Sequence, residues 1–506
     1  MNKKHCRIPW YILFGFLYVV GASLITLCSW YHKTYDVGFK ELLYTLLGPL
    51  EGAGNSVVQL VINSFVPPFI WAVVILVVLG FLTSETRANH LLWQRLLRRP
   101  FPTRIMTWLR RIGAVCCTGV FIFALAYVNY KFDVIDYLRS LSDTTQIYEE
   151  EYVEPTEVAI TAPEKKRNLI YIYLESMEIT YASPAEGGVQ ETNLLPHLTA
   201  LARENLHFAG TDGISGMYSL SGLNWTMASL LAQTAGIPFA FPVSGNAMDT
   251  VAVFAPKMTN LGDILQQNGY TQEFLCGSDA SYAGRRKYFV QHGDYQIYDL
   301  FTAREQGVID EDYYVWWGFE DTILFDIARD EATRLSEGDA PFNLTLLTVD
   351  LHHLGGYVCD QCGSTSEEDT ANVVTCTDRQ VADFIDWCRE QPFFEDTTIV
   401  LVGDHPRMDT MLVEGVSDDQ RMLYNCILNA AAPVEGSTEN RIFTAMDMFP
   451  TTLSAMGFDI EGDRLGLGVD LFSSQPTLAE RLGVYELELE LNRESSFYLN
   501  KFFYAK

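Results

Sequence analysis

The sequence predicts an α/β protein: a mostly parallel sheet sandwiched by helices, joined to three transmembrane helices at the N-terminal side. Three observations carry that prediction. From about residue 168 onward, short apolar β-rich runs alternate with helical patterns, the signature of a parallel sheet layered between helices. Two of these runs, Asn168-Leu-Ile-Tyr-Ile-Tyr-Leu-Glu175-Ser176 and Thr398-Ile-Val-Leu-Val-Gly403-Asp404-His405, end in residues that ligate metals. Before them, three apolar stretches at 10–30, 57–82 and 112–130 each come near the ~20 residues that cross a bilayer as a helix.

The first stretch lacks a convincing small-residue cleavage site and two more follow it, so it is expected to remain as an anchor. Pro67-Pro68 in the second is tolerable as a kink where neighbouring helices satisfy the freed backbone groups. Lys3, Lys4 and Arg7 precede the first stretch. Arg87, Arg95, Arg98, Arg99, Arg104, Arg110 and Arg111 lie before the third, against the single acid Glu85. The loop between the first two balances Lys33 and Lys40 with Asp36, Glu41 and Glu51. The positive-inside rule then places the N-terminus and the arginine loop in the cytoplasm, and everything beyond residue 130 outside.

Residues 1–130 thus form the expected membrane region, 131–166 a juxtamembrane linker and 167–506 an extracytoplasmic domain. The formal net charge of −29 falls mainly on that outer domain, because the cytoplasmic parts are basic. So acidic a surface excludes nucleic acid as a partner. Within the domain, helical spacing is expected over 193–208, 261–268, 377–389 and 446–456, and a strand over 343–349. Glycines follow the second and last of these helices, at Gly269 and Gly457, as helix stops.

In an open α/β sheet, ligands collect beyond the carboxyl ends of the strands. A charged residue at one strand end is ordinary, because the chain reaches solvent there. Glu175 on one strand and Asp404-His405 on another can share one divalent cation, and the pair of strand ends favours that reading. Hard carboxylate oxygens with one imidazole suit Mn²⁺, Mg²⁺ or Zn²⁺. Cys276, Cys359, Cys362, Cys376, Cys388 and Cys426 lie in the outer domain, where disulfides are permitted. Cys359-x-x-Cys362 with Cys376 lacks the fourth ligand of a structural zinc set, so a loop-closing disulfide is the favoured reading.

Further motifs follow one another from about residue 167 to 470. They are Ile170-Tyr-Ile-Tyr-Leu-Glu175-Ser176, Asn224-Trp225-Thr226-Met-Ala, Gly236-Ile-Pro238 with Gly245-Asn246-Ala247, and Leu261-Gly-Asp-Ile-Leu. Next come Tyr282-Ala-Gly-Arg285, Trp317-Gly318-Phe-Glu-Asp321, Thr348-Val-Asp-Leu-His352-His353 and Gly403-Asp404-His405. This ordered set resembles the alkaline-phosphatase and sulfatase superfamily. It is more closely similar to the membrane-anchored phosphoglycerol transferases, lipoteichoic acid synthase and the phosphatidylglycerol–membrane-oligosaccharide glycerophosphotransferase of Gram-negative bacteria.

The resemblance implies a sulfatase-like domain facing outward from the cytoplasmic (inner) membrane of a bacterium. It implies a nucleophilic threonine that is also a metal ligand, and Thr226 matches, with Ser221 and Ser219 as alternatives. A hydroxyl is a weak nucleophile until a base or a metal activates it. Thr226 can equally cap a helix over 227–233, and a helix start also favours a phosphate. Glu175, Asp404 and His405 complete the implied metal shell, with Mn²⁺ placed ahead of Mg²⁺ and Zn²⁺ as the cofactor. Arg285, His352 and Trp317 match substrate-binding positions, whereas Arg286 and Lys287 fit a solvated basic face equally well. His353, next along an extended segment, is expected to point the other way. Asp447 matches a structural helix of the superfamily. Cys362 and Cys376 are at places similar to cysteines of the glucan-modifying relatives and form the expected disulfide.

The implied reaction transfers glycerophosphate from phosphatidylglycerol to an extracytoplasmic glycan or polymer through a phosphoglyceryl-threonine, releasing diacylglycerol. A phosphoethanolamine transferase or another phosphodiester hydrolase of the superfamily is the alternative enzyme, and a sensing module on an inactive scaffold the alternative non-enzyme. Four candidate metal ligands weigh against the sensing module. A sulfatase is disfavoured, because no Cys/Ser-x-Pro-x-Arg motif stands near Thr226.

Overall fold

The computed structural model describes residues 10–34, most of 103–135, scattered positions between 66 and 95, and nearly all of 143–504. These fall into two compact units. In the first, helices α1 (Trp10–Thr34) and α2 (Thr103–Phe132) contain the windows Leu13–Tyr31 and Thr107–Phe132, each long and apolar enough to cross a membrane. They pack on each other. Ser29 Oγ lies 3.1 Å from Tyr127 OH, and a Cβ at Gly21 would sit 2.9 Å from the Phe121 Cα. A small residue at the crossing is what lets two apolar helices approach this closely. The expected span at 57–82 lies mostly outside the described residues.

The second unit is built on a six-stranded sheet. Its strands are β1 (Asn168–Leu174), β2 (Thr271–Cys276), β3 (Gln296–Tyr298), β4 (Phe342–Leu347), β5 (Thr397–Gly403) and β6 (Asn425–Leu428). They run in the order β3-β2-β4-β1-β5-β6, all parallel except β6, which is antiparallel to β5. Along β1, Leu169, Tyr171 and Tyr173 enter one core, while Ile170, Ile172 and Leu174 enter the other. Burial on both faces explains why the central runs are continuously apolar rather than alternating.

Helices α4 (Thr226–Ala235), α5 (Leu261–Gln267), α6 (Arg285–Gln291) and α9 (Met448–Ala455) contribute to the first core. Helices α3 (Pro196–Glu204), α7 (Asp321–Ser336) and α8 (Asp369–Arg389) contribute to the second. The expected mostly parallel sheet sandwiched by helices is therefore present. α3 is shorter than its apolar pattern, because Pro196 sets its first turn and Asn205 is already extended. α8 begins eight residues before the expected 377, at Asp369. Its first turns hold Thr, Asn and Val, poor helix formers in isolation, and burial of Val373, Val374 and Cys376 overrides that preference. α5 carries a reciprocal capping box between Asn260 and Asp263.

Asp447 is structural, as expected. Its Oδ2 accepts from the Thr444 amide at 2.8 Å and its Oδ1 from the Val469 amide at 2.9 Å. Asp447→Ala leaves both buried N–H groups without an acceptor and is expected to cost about 3 kcal/mol. Thermal unfolding of the detergent-solubilised protein tests this; an unchanged midpoint would contradict it.

Candidate active site

β1 and β5 are hydrogen-bonded neighbours in parallel register, with Leu174 opposite Gly403. The residues after each strand therefore leave the sheet side by side: Glu175 from one, Asp404 and His405 from the other. All three are buried, with one ligand atom from each lying within 4.8 Å of the others. His405 Nε2 is 3.2 Å from Glu175 Oε1 and 3.5 Å from Asp404 Oδ2. Thr226, the first residue of α4, brings its hydroxyl to 3.4 Å from Glu175 Oε2 and 3.3 Å from His405 Nε2. Four residues from three separate segments meet at one point.

Thr226 does not cap its helix. Trp225 holds the cap position in extended conformation and no side-chain cap bond is made, so the hydroxyl turns to the ligand cluster. The first amides of α4 still offer a place for an anion. Ser221, by contrast, gives its hydroxyl to Glu488 Oε1 at 2.5 Å. Ser219 Oγ is buried with no hydrogen-bond partner among the described residues.

The cluster is held by its own backbone. Asp404 Oδ1 accepts from the amides of Ser176 at 2.8 Å and His405 at 2.7 Å. The Ser176 hydroxyl donates to Glu175 Oε1 at 2.8 Å, and the Glu175 amide to Thr348 Oγ1 at 2.9 Å. His405 Nδ1 donates to the Pro406 carbonyl at 2.8 Å, which turns Nε2 toward the carboxylates. Asp404 Oδ2 is buried with no hydrogen-bond partner among the described residues.

Two buried carboxylates this close repel one another. Burial raises the Asp404 carboxyl, Glu175 adds to it, and the result is pushed up to about 8. Burial works against charge on His405, but Asp404 and Glu175 outweigh it and raise the imidazole to about 10. Burial also opposes charge on Glu175, yet His405 and His352 hold its carboxyl below the usual range. Without a cation the cluster thus balances its charge with protons. Two carboxylates, an imidazole and a hydroxyl around an unpartnered oxygen fit a hard or borderline divalent cation that would take over that role.

A second group of side chains forms a continuous line. The His352 ring lies 4.5 Å from Trp317, Trp317 lies 5.8 Å from Tyr282, and the Arg285 guanidinium lies 5.7 Å from the Tyr282 ring. Arg285 opens α6 and is held by Ser278 Oγ at 3.0 Å and the Asp279 carbonyl at 2.9 Å. Its neighbours serve structure instead: Arg286 pairs with buried Asp299, and Lys287 donates to the Asp249 and Val251 carbonyls. The two adjacent histidines do not point apart. The chain turns after β4, with the His352 amide bonded to the Val349 carbonyl at 3.0 Å, and the imidazoles stack at 4.3 Å.

Sequence reasoning assigned no role to the residues that hold this turn. Asp321 accepts from the amides of Val349 at 2.7 Å and Asp350 at 3.1 Å, and Asp350 accepts in return from the Asp321 amide at 3.2 Å. Burial, then the charge of Asp321, pushes Asp350 up to about 10. Arg407 is buried, with Nε on Asp409 at 2.7 Å and Nη1 on the Leu351 carbonyl at 3.0 Å. Asp321 and Asp350 stood inside recognised motifs, and only Asp350, between Val349 and Leu351, carried a local signal, a carboxylate flanked by apolar residues. Nothing in the sequence marked Arg407. Cys359, Cys362 and Cys376 come together as free thiols.

Two carboxylates and an imidazole buried together at the carboxyl ends of a parallel sheet, beside a hydroxyl at a helix start, make a site able to hold a divalent cation. The chain belongs to the sulfatase family, which it matches over residues 167–458. It is 30% identical to Phosphoglycerol transferase I of Escherichia coli O127:H6 over 471 residues, 91% of this chain and 56% of that protein. It is 29% identical over 493 residues to the protein of the same name from Salmonella choleraesuis, covering 94% of this chain and 58% of that one. The chain thus spans little more than half the length of these curated relatives. Among solved structures, the lipoteichoic acid synthase LtaP from Listeria monocytogenes superposes with a TM-score of 0.50 at 18% identity, covering 62% of this chain and 79% of that chain. That likeness is one of fold.

Proposed function

We propose that the protein is a membrane-anchored phosphoglycerol transferase with Thr226 as its nucleophile. The observation that carries this reading is the Thr226 hydroxyl, freed from helix capping and placed between Glu175 Oε2 and His405 Nε2. The name of the curated relatives supports a transferred phosphoglycerol group; phosphatidylglycerol as donor and an extracytoplasmic glycan or polymer as acceptor follow from the family resemblance. Residues 167–506 face outward, and the N-terminal apolar helices anchor the chain in the cytoplasmic membrane, which holds its lipid donor.

Glu175, Thr226, Asp404 and His405 would hold one divalent cation, with Mn²⁺ the first candidate. When bound, it lowers the pKa of the coordinated hydroxyl and neutralises developing negative charge. Thr226 Oγ attacks the phosphorus of the donor phosphodiester, and the bond to the diacylglycerol oxygen breaks. That oxygen receives the proton Thr226 gives up and leaves as the hydroxyl of diacylglycerol, with glycerophosphate now on Thr226. An acceptor hydroxyl then attacks the same phosphorus, and Thr226 leaves. Arg285 offers guanidinium donors to the phosphate oxygens.

His352 fits a proton-transfer role better than a charge-stabilising one. Burial lowers its pKa and keeps it neutral, and its Nδ1 donates to the His353 carbonyl at 2.8 Å. Nε2 is then a lone pair, able to take the acceptor proton in the second step. Arg285→Ala and His352→Ala are each expected to lower turnover by on the order of 10²- to 10³-fold. The His352 variant should still release diacylglycerol once per enzyme when acceptor is withheld; loss of that burst would contradict the assigned step.

Full-length protein, supplied separately with headgroup-labelled phosphatidylglycerol and phosphatidylethanolamine and a panel of glycans, tests the reaction. Label passing from phosphatidylglycerol to a glycan, with diacylglycerol released, is the expected result. Transfer from phosphatidylethanolamine alone would replace the donor, and turnover of neither would reject the transferase reading.

A further inference from the structure

We propose that Cys359, Cys362 and Cys376 form a second metal site, a thiolate cradle for a thiophilic cation of the Zn²⁺ type. It is separate from the Glu175–Asp404–His405 cluster and serves to pin the loop that carries His352. The three sulfurs come from two places in the chain. Cys359 and Cys362 lie on the loop after β4, downstream of His352 and His353, while Cys376 lies on α8. One sulfur from each falls within 4.8 Å of the other two.

The spacing fits a cation. Cys359 Sγ is 3.6 Å from Cys362 Sγ and 3.8 Å from Cys376 Sγ. Zinc–sulfur bonds of about 2.3 Å in a tetrahedron put neighbouring sulfurs about 3.8 Å apart. A single disulfide would join two of the three and strand the remaining thiol in the same pocket. One cation uses all three.

The surroundings suit thiolates rather than thiols. One turn further along α8, Gln380 Nε2 donates to Cys376 Sγ at 3.2 Å and Arg379 Nη2 at 3.5 Å. Donors of this kind orient and tune sulfur ligands from outside the metal shell. Three thiolates and a dication carry one net negative charge, which the Arg379 guanidinium offsets. On binding, the thiol protons pass to solvent. Gln380 Oε1 is buried with no hydrogen-bond partner among the described residues. It can accept from a water in the fourth position, which Cys362, only partly buried, leaves open to solvent. On the far side, the Thr322 hydroxyl on α7 donates to Cys359 Sγ at 3.7 Å. A metal here would tie α7, α8 and the histidine loop together. The three-ligand spacing that looked deficient in the sequence is sufficient once water supplies the last position.

The test uses full-length protein purified without chelator and Zn²⁺ as the probe, in a Glu175→Gln/His405→Ala background that disables the other cluster. One equivalent of zinc should survive dialysis and fall to none in Cys376→Ser and in Cys362→Ser, the latter chosen because its side chain is partly exposed. Co²⁺ loaded into the same background should show sulfur-to-cobalt charge-transfer absorption. The three cysteines should resist alkylation until a chelator is added. A non-reducing peptide map joining any two of them, such as Cys362 to Cys376, would overturn the proposal. So would a background protein that binds no zinc, or cysteine variants that bind it unchanged.

Discussion

Thr226→Ala is expected to abolish transfer, by on the order of 10⁴-fold or more, the scale seen when a covalent nucleophile is removed. The protein should stay folded. The hydroxyl caps no helix, and alanine is at least as good a helix former as threonine, so the unfolding midpoint should hardly move. Ser221→Ala is the control. Its hydroxyl is committed to Glu488, and its loss should leave most of the activity. Comparable losses in both variants would point to a shared structural role and away from nucleophilic attack by Thr226.

Removal of the proposed cation is expected to have the second large effect. Dialysis against chelator should stop diacylglycerol release, and Mn²⁺ should restore it. Asp404→Asn should give a similar loss, on the order of 10³-fold, because several kcal/mol of charge stabilisation disappears. The same substitution should not destabilise the metal-free protein. The Asp404 carboxyl is raised to about 8 by burial and by Glu175. With its folded value above its unfolded one, ionisation opposes folding as pH rises through that interval, and a neutral amide removes the penalty. Loss of activity with equal or higher stability marks a functional residue; loss of both would make Asp404 structural.

How much of this was legible beforehand differs by element. β1 and β5 were plain, because strands buried on both faces leave continuous apolar runs ending in polar ligands. That they are immediate neighbours in register was not visible in either run. The two polar strand ends already pointed to Glu175, Asp404 and His405 sharing a cation, the family resemblance agreed, and the pairing of Leu174 with Gly403 accounts for their meeting physically. Thr226 was legible as a residue at a helix start, but a capping threonine and a ligating one have the same local sequence. What the structure adds is the absence of a cap bond and the long-range approach of the Thr226 hydroxyl to Glu175. The expectation for His353 failed because alternation of side chains assumes an extended chain, and the segment turns immediately after β4. The start of α8 was missed because tertiary burial overrode local propensity. The three cysteines were legible as a group from their spacing, but that Cys359 approaches both Cys362 and Cys376 depends on α8 meeting the loop after β4.

The most direct test of the central claim is to trap the covalent intermediate. Wild-type enzyme is given phosphatidylglycerol and Mn²⁺ without acceptor, quenched, digested and mapped by mass spectrometry. One glycerophosphate on the peptide at Thr226, discharged when acceptor is added, is the predicted result. An adduct on Ser219 or Ser221, or no adduct from an enzyme that still releases diacylglycerol, would contradict it.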